Sequence, residues 1–207
     1  MVKGHCKNQE IEAALKIRNE MDEAKITPDE VLYNSLLDGC CKCGELTMAL
    51  KVYENMKSLK IRPSNVTFSI LIKIYGKQKQ IAKALLVLEE MKTEGIKPGL
   101  IVYTCLIQTC IKSQKLKMAL DLFKDMKNVG VIPDAVTYST LINGCTQTRD
   151  FSPIESLVLD SLDCGVQLSK DTYNEACKAL KGDKAEFLQR RIKTTTFLDQ
   201  NKYNQNY

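Results

Sequence analysis

The sequence predicts an all-α protein: an α-solenoid of about five to six stacked, antiparallel helical hairpins. Three observations carry this. Pro28, Pro63, Pro98 and Pro133 recur at a step of 35 residues. Tyr33, Phe68, Tyr103, Tyr138 and Tyr173 keep the same step, as do Met21, Met56, Met91 and Met126. Each period also holds two amphipathic patterns, a break between them, and a stop. A fixed period between about 20 and 50 residues marks a stacked repeat architecture.

Counted from the residue after the Pro-x stop, the full units are Glu30–Ser64, Asn65–Gly99, Leu100–Asp134 and Ala135–Ser169. A truncated unit, Met1–Asp29, precedes them, and a degenerate cap, Lys170–Ile192, follows. In the third unit, Val102, Tyr103, Leu106, Ile107, Cys110 and Ile111 recur at helical spacing. Ser113, Gln114 and Lys115 form the break. Leu116, Ala119, Leu120, Phe123 and Met126 make the second stripe. Gly130 suits a left-handed terminating position, and Pro133 forces the helix to end before it. So short a connection makes the two helices antiparallel neighbours. Ala14, Ala49, Ala84 and Ala119 form a small-residue column that permits close helix approach. A single hairpin cannot cover both of its apolar faces, so neighbours must stack. In the fourth unit Ile154 replaces the alanine, Pro153 enters the first turn of the second helix, and Leu168 replaces the proline. A looser junction is expected there. Lys184–Ile192 is expected to form a shortened second helix, and the polar, aperiodic Lys193–Tyr207 is expected to be disordered.

Among the 207 residues, 44% are hydrophobic and the formal net charge is +5. No apolar run is long enough to span a membrane. The mild positive charge is compatible with an anionic partner without demanding one. Nine cysteines, many inside helical apolar patterns, read as reduced thiols of an intracellular compartment. The start reads neither as a secretory signal nor as an Arg- and Ser-rich transit peptide. In the repeat register Met1 falls mid-helix, so a longer natural chain is expected.

The segment Val136 to Gly144 (VTYSTLING), the segment Met118 to Met126 (MALDLFKDM) and the Gly-x-x-Pro-Asp stop together resemble the pentatricopeptide repeat. The resemblance covers roughly residues 1–180 and is to the plain 35-residue class. It implies a right-handed superhelix and a single-stranded RNA partner read at about one base per repeat. It also implies a mitochondrial or plastid location and a role in RNA processing, stability or translation. In that family the fifth and last residues of a unit contact the base edge. These are Asn34 with Ser64, Ser69 with Gly99, Thr104 with Asp134, Ser139 with Ser169, and Asn174 without a clear partner. Asn34/Ser64 resembles a cytosine-leaning pair and Thr104/Asp134 a guanine reader, because a carboxylate accepts from guanine's N–H edge. Gly99 has no side chain to read with, and Ser139/Ser169 resembles a weak reader. Val31, Val66, Ile101 and Val136 would sandwich bases; Asp171 breaks that series. Lys7, Lys42, Lys77 and Lys112 would lie near the phosphates, and Gln147 departs from that column.

Each column also has a plainer reading. The β-branched residues could pack in the core, and the lysines could form a solvated face. Cys40, Cys41 and Cys43 lack the paired four-ligand pattern of structural zinc, so no metal is expected. No cofactor is implied. A catalytic triad cannot be assembled around the lone His5, no phosphate-cradling glycine loop exists, and no enzyme activity is expected. About four units address only about four bases, too short a site alone in a transcriptome. A fragment of a longer array, or help from ribonucleoprotein partners, follows from this. The alternative function is a protein–protein scaffold, such as a subunit of an organellar ribonucleoprotein. Neither a membrane nor a small-molecule substrate is expected as a partner.

Overall fold

The computed structural model describes residues 13, 16, 18, 20, 21, 23–180 and 182–204, with side chains to residue 194. Lys7, expected near the phosphates, lies outside the described residues, as do His5, Cys6 and Ala14. No strand occurs among the described residues. The chain divides into two compact units, Met1–Ser113 and Gln114–Tyr207.

The first unit contains α1 (Glu30–Cys43), α2 (Leu46–Ser58), α3 (Asn65–Lys77), α4 (Ile81–Thr93) and α5 (Leu100–Lys112). Residues 13, 16, 18, 20, 21 and 23 are also helical. The second unit contains α6 (Leu116–Asn128), α7 (Ala135–Thr148), α8 (Ile154–Asp163), α9 (Lys170–Ala179) and α10 (Asp183–Asn204). The first helices of the repeats therefore begin at 30, 65, 100, 135 and 170, in step with the sequence period.

The period is also written in the backbone. Lys25, Lys60, Gly95, Gly130 and Gly165 all have positive φ and end the second helices. Gly44, Lys79, Gln114 and Arg149 do the same after the first helices. A left-handed residue turns the chain sharply enough for the next helix to run back. Gly130, at φ 80°, occupies the terminating position expected of it. At the other end, Asp29, Asp134 and Ser169 accept a hydrogen bond from a first-turn amide of the following helix. Ser64 does likewise, in a reciprocal capping box with Thr67.

Within the first unit, α1 packs on α3 and α3 on α5, while α2 and α4 lie against their own hairpin partners. The aromatic column forms the interior: Tyr33, Phe68, Tyr103, Tyr138 and Tyr173 are all buried. Ala49, Ala84 and Ala119 are fully buried, and so are Met56, Met91 and Met126. Each large apolar side chain removed from water contributes roughly 1.5–3 kcal/mol. The buried tyrosine hydroxyls find polar partners on second helices. Tyr33 donates to Asn55, Tyr138 to Asp160 at 2.8 Å, and Tyr53 to Glu90 at 3.0 Å.

The fourth repeat departs from the others as its sequence does. Its second helix, α8, has 10 residues against 13 in α2, α4 and α6. Pro153 stands just before that helix, where its missing N–H costs nothing. Two expectations need correction. The helix expected over Lys184–Ile192 is not short: α10 spans 22 residues. Residues 193–204, expected to be disordered, are helical as part of it. No glycine or proline lies between Asp183 and Asn204, so nothing in the chain stops the helix. Leu188 is its buried anchor.

Candidate nucleic-acid interface

Side chains at positions one, two, five, six and nine of a first helix share one face, because the helix repeats every 3.6 residues. In the first unit that face lines a cleft of about 540 Å³. Val31, Asn34, Ser35, Asp38 and Lys42 line it from α1, Val66, Ser69, Ile70 and Lys73 from α3, and Ile101 from α5. The structure thus brings together six of the residues singled out by the repeat columns.

The β-branched column lies at the surface rather than in the core. Val31 is 69% exposed, Val66 45%, Ile101 50% and Val136 50%. These residues are not core. In each case the residue stands at the second position of a first helix and leaves about half or more of its surface exposed.

The fifth-position residues are not alike. Asn34 is half-buried, with Nδ2 donating to Glu30 Oε1 at 2.8 Å and Oδ1 accepting from Thr67 Oγ1 at 2.7 Å. Ser69 and Thr104 are buried, at 2% and 8% exposure. Ser69 turns its hydroxyl back to Val66 O at 2.8 Å. Ser139 is half-buried and bonds Val136 O at 3.1 Å. Asn174 is exposed and lines a second cleft, of about 570 Å³, with Thr146, Arg149, Phe151, Asp171 and Lys178.

Three of the four last-position residues carry a duty that sequence reasoning missed: Ser64, Asp134 and Ser169 cap helices with their side chains. Ser64 Oγ accepts from Val66 N at 3.2 Å and donates to Glu30 Oε1. Gly99, without a side chain, has its N–H taken by Asn65 Oδ1 at 2.6 Å. Asp134 receives both Thr137 N and Thr137 Oγ1 on Oδ1, each at 2.8 Å. A carboxylate has two oxygens, so capping and reading are compatible there. Ser169 accepts from Thr172 N at 3.1 Å. The Ser-x-x-Thr and Asp-x-x-Thr spacings at these sites are the signal that reveals the caps.

The lysine column is also partly committed. Lys42 pairs with Asp38 at 2.8 Å. Lys77 donates to the Cys41 carbonyl near the end of α1, where a cation complements the helix dipole. Lys112 is exposed. In the first-unit cleft, Lys42 and Lys73 are matched by Glu30 and Asp38, so its charges balance.

Five of the eight described cysteines are buried, and Cys164 is exposed. Cys40, Cys110 and Cys145 share one column and are fully buried. Burial pushes the Cys110 thiol up to about 11 and that of Cys145 up to about 12, away from the thiolate a metal needs. No group of three metal-binding side chains occurs among the described residues. Nor is any described helix long and apolar enough to cross a membrane.

Stacked antiparallel hairpins with this step define an α-solenoid. The chain matches the PPR repeat family over residues 28–75, 70–112 and 98–147. It also matches the PPR repeat over 1–26 and 136–166. It belongs to the pentatricopeptide repeat family. No curated protein matches. Among solved structures, it is similar to the pentatricopeptide repeat protein PPR10 from maize, at 23% identity and TM-score 0.75. That match covers 98% of this chain and 28% of the other. PPR10 in complex with an 18-nt psaJ RNA element matches at 24% identity and TM-score 0.73, over 86% of this chain and 26% of that one. The PPR domain of Arabidopsis thaliana protein-only RNase P 1, in complex with tRNA, matches at 19% identity and TM-score 0.70. There the cover is 86% and 94%. The chain therefore spans about a quarter of the PPR10 length.

Proposed function

We propose that this chain binds single-stranded RNA along its first helices, at about one base per repeat, without catalytic activity. Its role would be in processing, stability or translation of a mitochondrial or plastid transcript. The observation that carries the reading is the half-exposed β-branched column beside Asn34 in the first-unit cleft. An apolar surface flanking an oriented amide suits a base, which needs faces to stack on and an edge partner. The RNA held by PPR10 and the tRNA held by the protein-only RNase P domain support the same reading. The repeat of Asn34 and Ser64, and that of Asp134, offer edge-reading groups. Ser69, buried and paired with Gly99, offers shape alone. Lys73 and Lys112 would supply the phosphate-side charge, making the affinity salt-dependent.

A scaffold reading draws on two observations: the burial of Ser69 and Thr104, and the balanced charge of the cleft. Titration of labelled oligonucleotides separates the two functions. RNA reading predicts that changing Thr104 and Asp134 alters base preference at one position of the bound site. A scaffold predicts tight RNA-free association with a protein, indifferent to those changes.

A further inference from the structure

We infer that Glu30, which is none of the base-contacting positions, sets the hydrogen-bonding polarity of the Asn34–Ser64 pair and thereby decides which pyrimidine that repeat accepts. The inference rests on the RNA reading above.

The orientation of an Asn amide is normally assigned rather than evident. Here the donors and acceptors dictate it. The Ser64 backbone N–H donates to Thr67 Oγ1 at 3.1 Å. The Thr67 hydroxyl donates to the Asn34 carbonyl oxygen, 2.7 Å away, and the acceptor-only Glu30 carboxylate on the other side of the amide requires that orientation. The amide nitrogen consequently faces Glu30 Oε1 at 2.8 Å. An ionised carboxylate only accepts, so it holds that amide N–H and also takes the single hydroxyl hydrogen of Ser64. Ser64 Oγ meanwhile accepts from Val66 N.

What remains for a base is fixed. Asn34 keeps one amide N–H, and its carbonyl oxygen, already engaged by the Thr67 hydroxyl, keeps only a second lone pair. Ser64 keeps a lone pair and has no hydrogen to offer. A donor at the centre of a pyrimidine edge with an acceptor beside it fits cytosine, whose N3 accepts and N4 donates. Uracil opposes a donor with its own N3–H. Without Glu30 the Ser64 hydroxyl could turn outward as a donor, and the distinction would fade. Glu30 is a positioning residue.

The fold contains its own controls. Asn65, one period on, spends its amide on backbone only, taking Gly99 N–H and donating to Lys97 O at 3.1 Å. In the same column Leu100 and Ala135 have no hydrogen-bonding side chain, and Lys170 can only donate, so it cannot hold an amide N–H or a hydroxyl hydrogen. The effect of Glu30 is therefore confined to one repeat.

The test uses the full chain and an oligonucleotide series scanning cytosine and uracil through the bound site. Glu30→Ala is expected to lower the cytosine preference about tenfold at one position, leaving the others unchanged. Glu30→Gln, whose carbonyl oxygen still accepts both bonds, is expected to restore it. An unchanged preference in Glu30→Ala, a loss at every position together, or failure of Glu30→Gln to rescue would overturn the inference. The Asn34 side-chain amide, followed by NMR in RNA-free protein, provides a separate readout. Its hydrogen exchange is expected to be slowed in the wild type and released in Glu30→Ala. If the wild type binds no RNA, the interface reading and the pyrimidine selection both fall. The amide signal then still shows whether Glu30 holds the pair.

Discussion

Truncating Val66 to alanine separates an interface residue from a core residue by energy alone. Burying a valine side chain fully contributes roughly 1.5–3 kcal/mol. Val66 is 45% exposed, so nearly half of that, about 0.7–1.4 kcal/mol, is still to be gained when a base covers it. Val66→Ala should weaken RNA binding by about three- to tenfold, at 1.4 kcal/mol per decade. The part already covered limits the loss of fold stability to about 0.8–1.7 kcal/mol. Leu71, on the same helix but 2% exposed, should behave in the opposite way. Its truncation costs about 2–5 kcal/mol of stability. Leu86, 65% exposed on α4 and outside the cleft, should affect neither property when changed to alanine. Fluorescence anisotropy with a labelled oligonucleotide at fixed salt and thermal melts by circular dichroism measure the two quantities. If Val66→Ala left the affinity unchanged, or lost it only in proportion to unfolded protein, the apolar column would not be a stacking surface.

Gly76 faces Thr109 so closely that an added Cβ would sit 2.5 Å from its Oγ1. Gly76→Ala should destabilise by about 1–3 kcal/mol in a denaturant melt, and Thr109→Ala should recover much of it in a double-mutant cycle. Lys79 holds φ 56°, a conformation costing a side-chain-bearing residue about 1 kcal/mol. Lys79→Gly should therefore raise the melting temperature by about 2–4 °C. The fully buried thiols of Cys110 and Cys145 keep their protons to about 11 and about 12, whereas an unfolded thiol releases its proton near 9.0. Above pH 9 the folded state binds more protons than the unfolded one, so stability falls as pH rises. The slope is about 1.4 kcal/mol per pH unit for each thiol. Urea midpoints from pH 7 to 11 should be flat at first and then decline, less steeply in Cys145→Ala.

The architecture was legible because most repeats spell out the same physical events. Proline before a cap, a cap before a helix and a left-handed residue after it recur in place, and helices start at Glu30, Asn65, Leu100, Ala135 and Lys170. The columns also located the cleft, since residues at a common repeat position share a face. The links between repeats were illegible. Glu30 meets Ser64, Asn34 meets Thr67 and Lys57 meets Glu90 at separations near one period. A pattern read within a single helix contains no such pairings. The same limit hid the burial of Ser69 and Thr104, whereas the caps at Ser64 and Asp134 were written in the local Ser-x-x-Thr and Asp-x-x-Thr spacings and were passed over. In α10 the polar composition argued for disorder, yet composition does not stop a helix that lacks a breaker.

The most direct test of the account is a methyl NMR titration of the full chain with single-stranded RNA. The account predicts that the methyl signals of Val31, Val66, Ile101 and Val136 shift together and saturate, while those of Leu86 and Ile132 stay in place. Shifts confined to Leu86 and Ile132, or a spectrum unmoved by RNA, would contradict it.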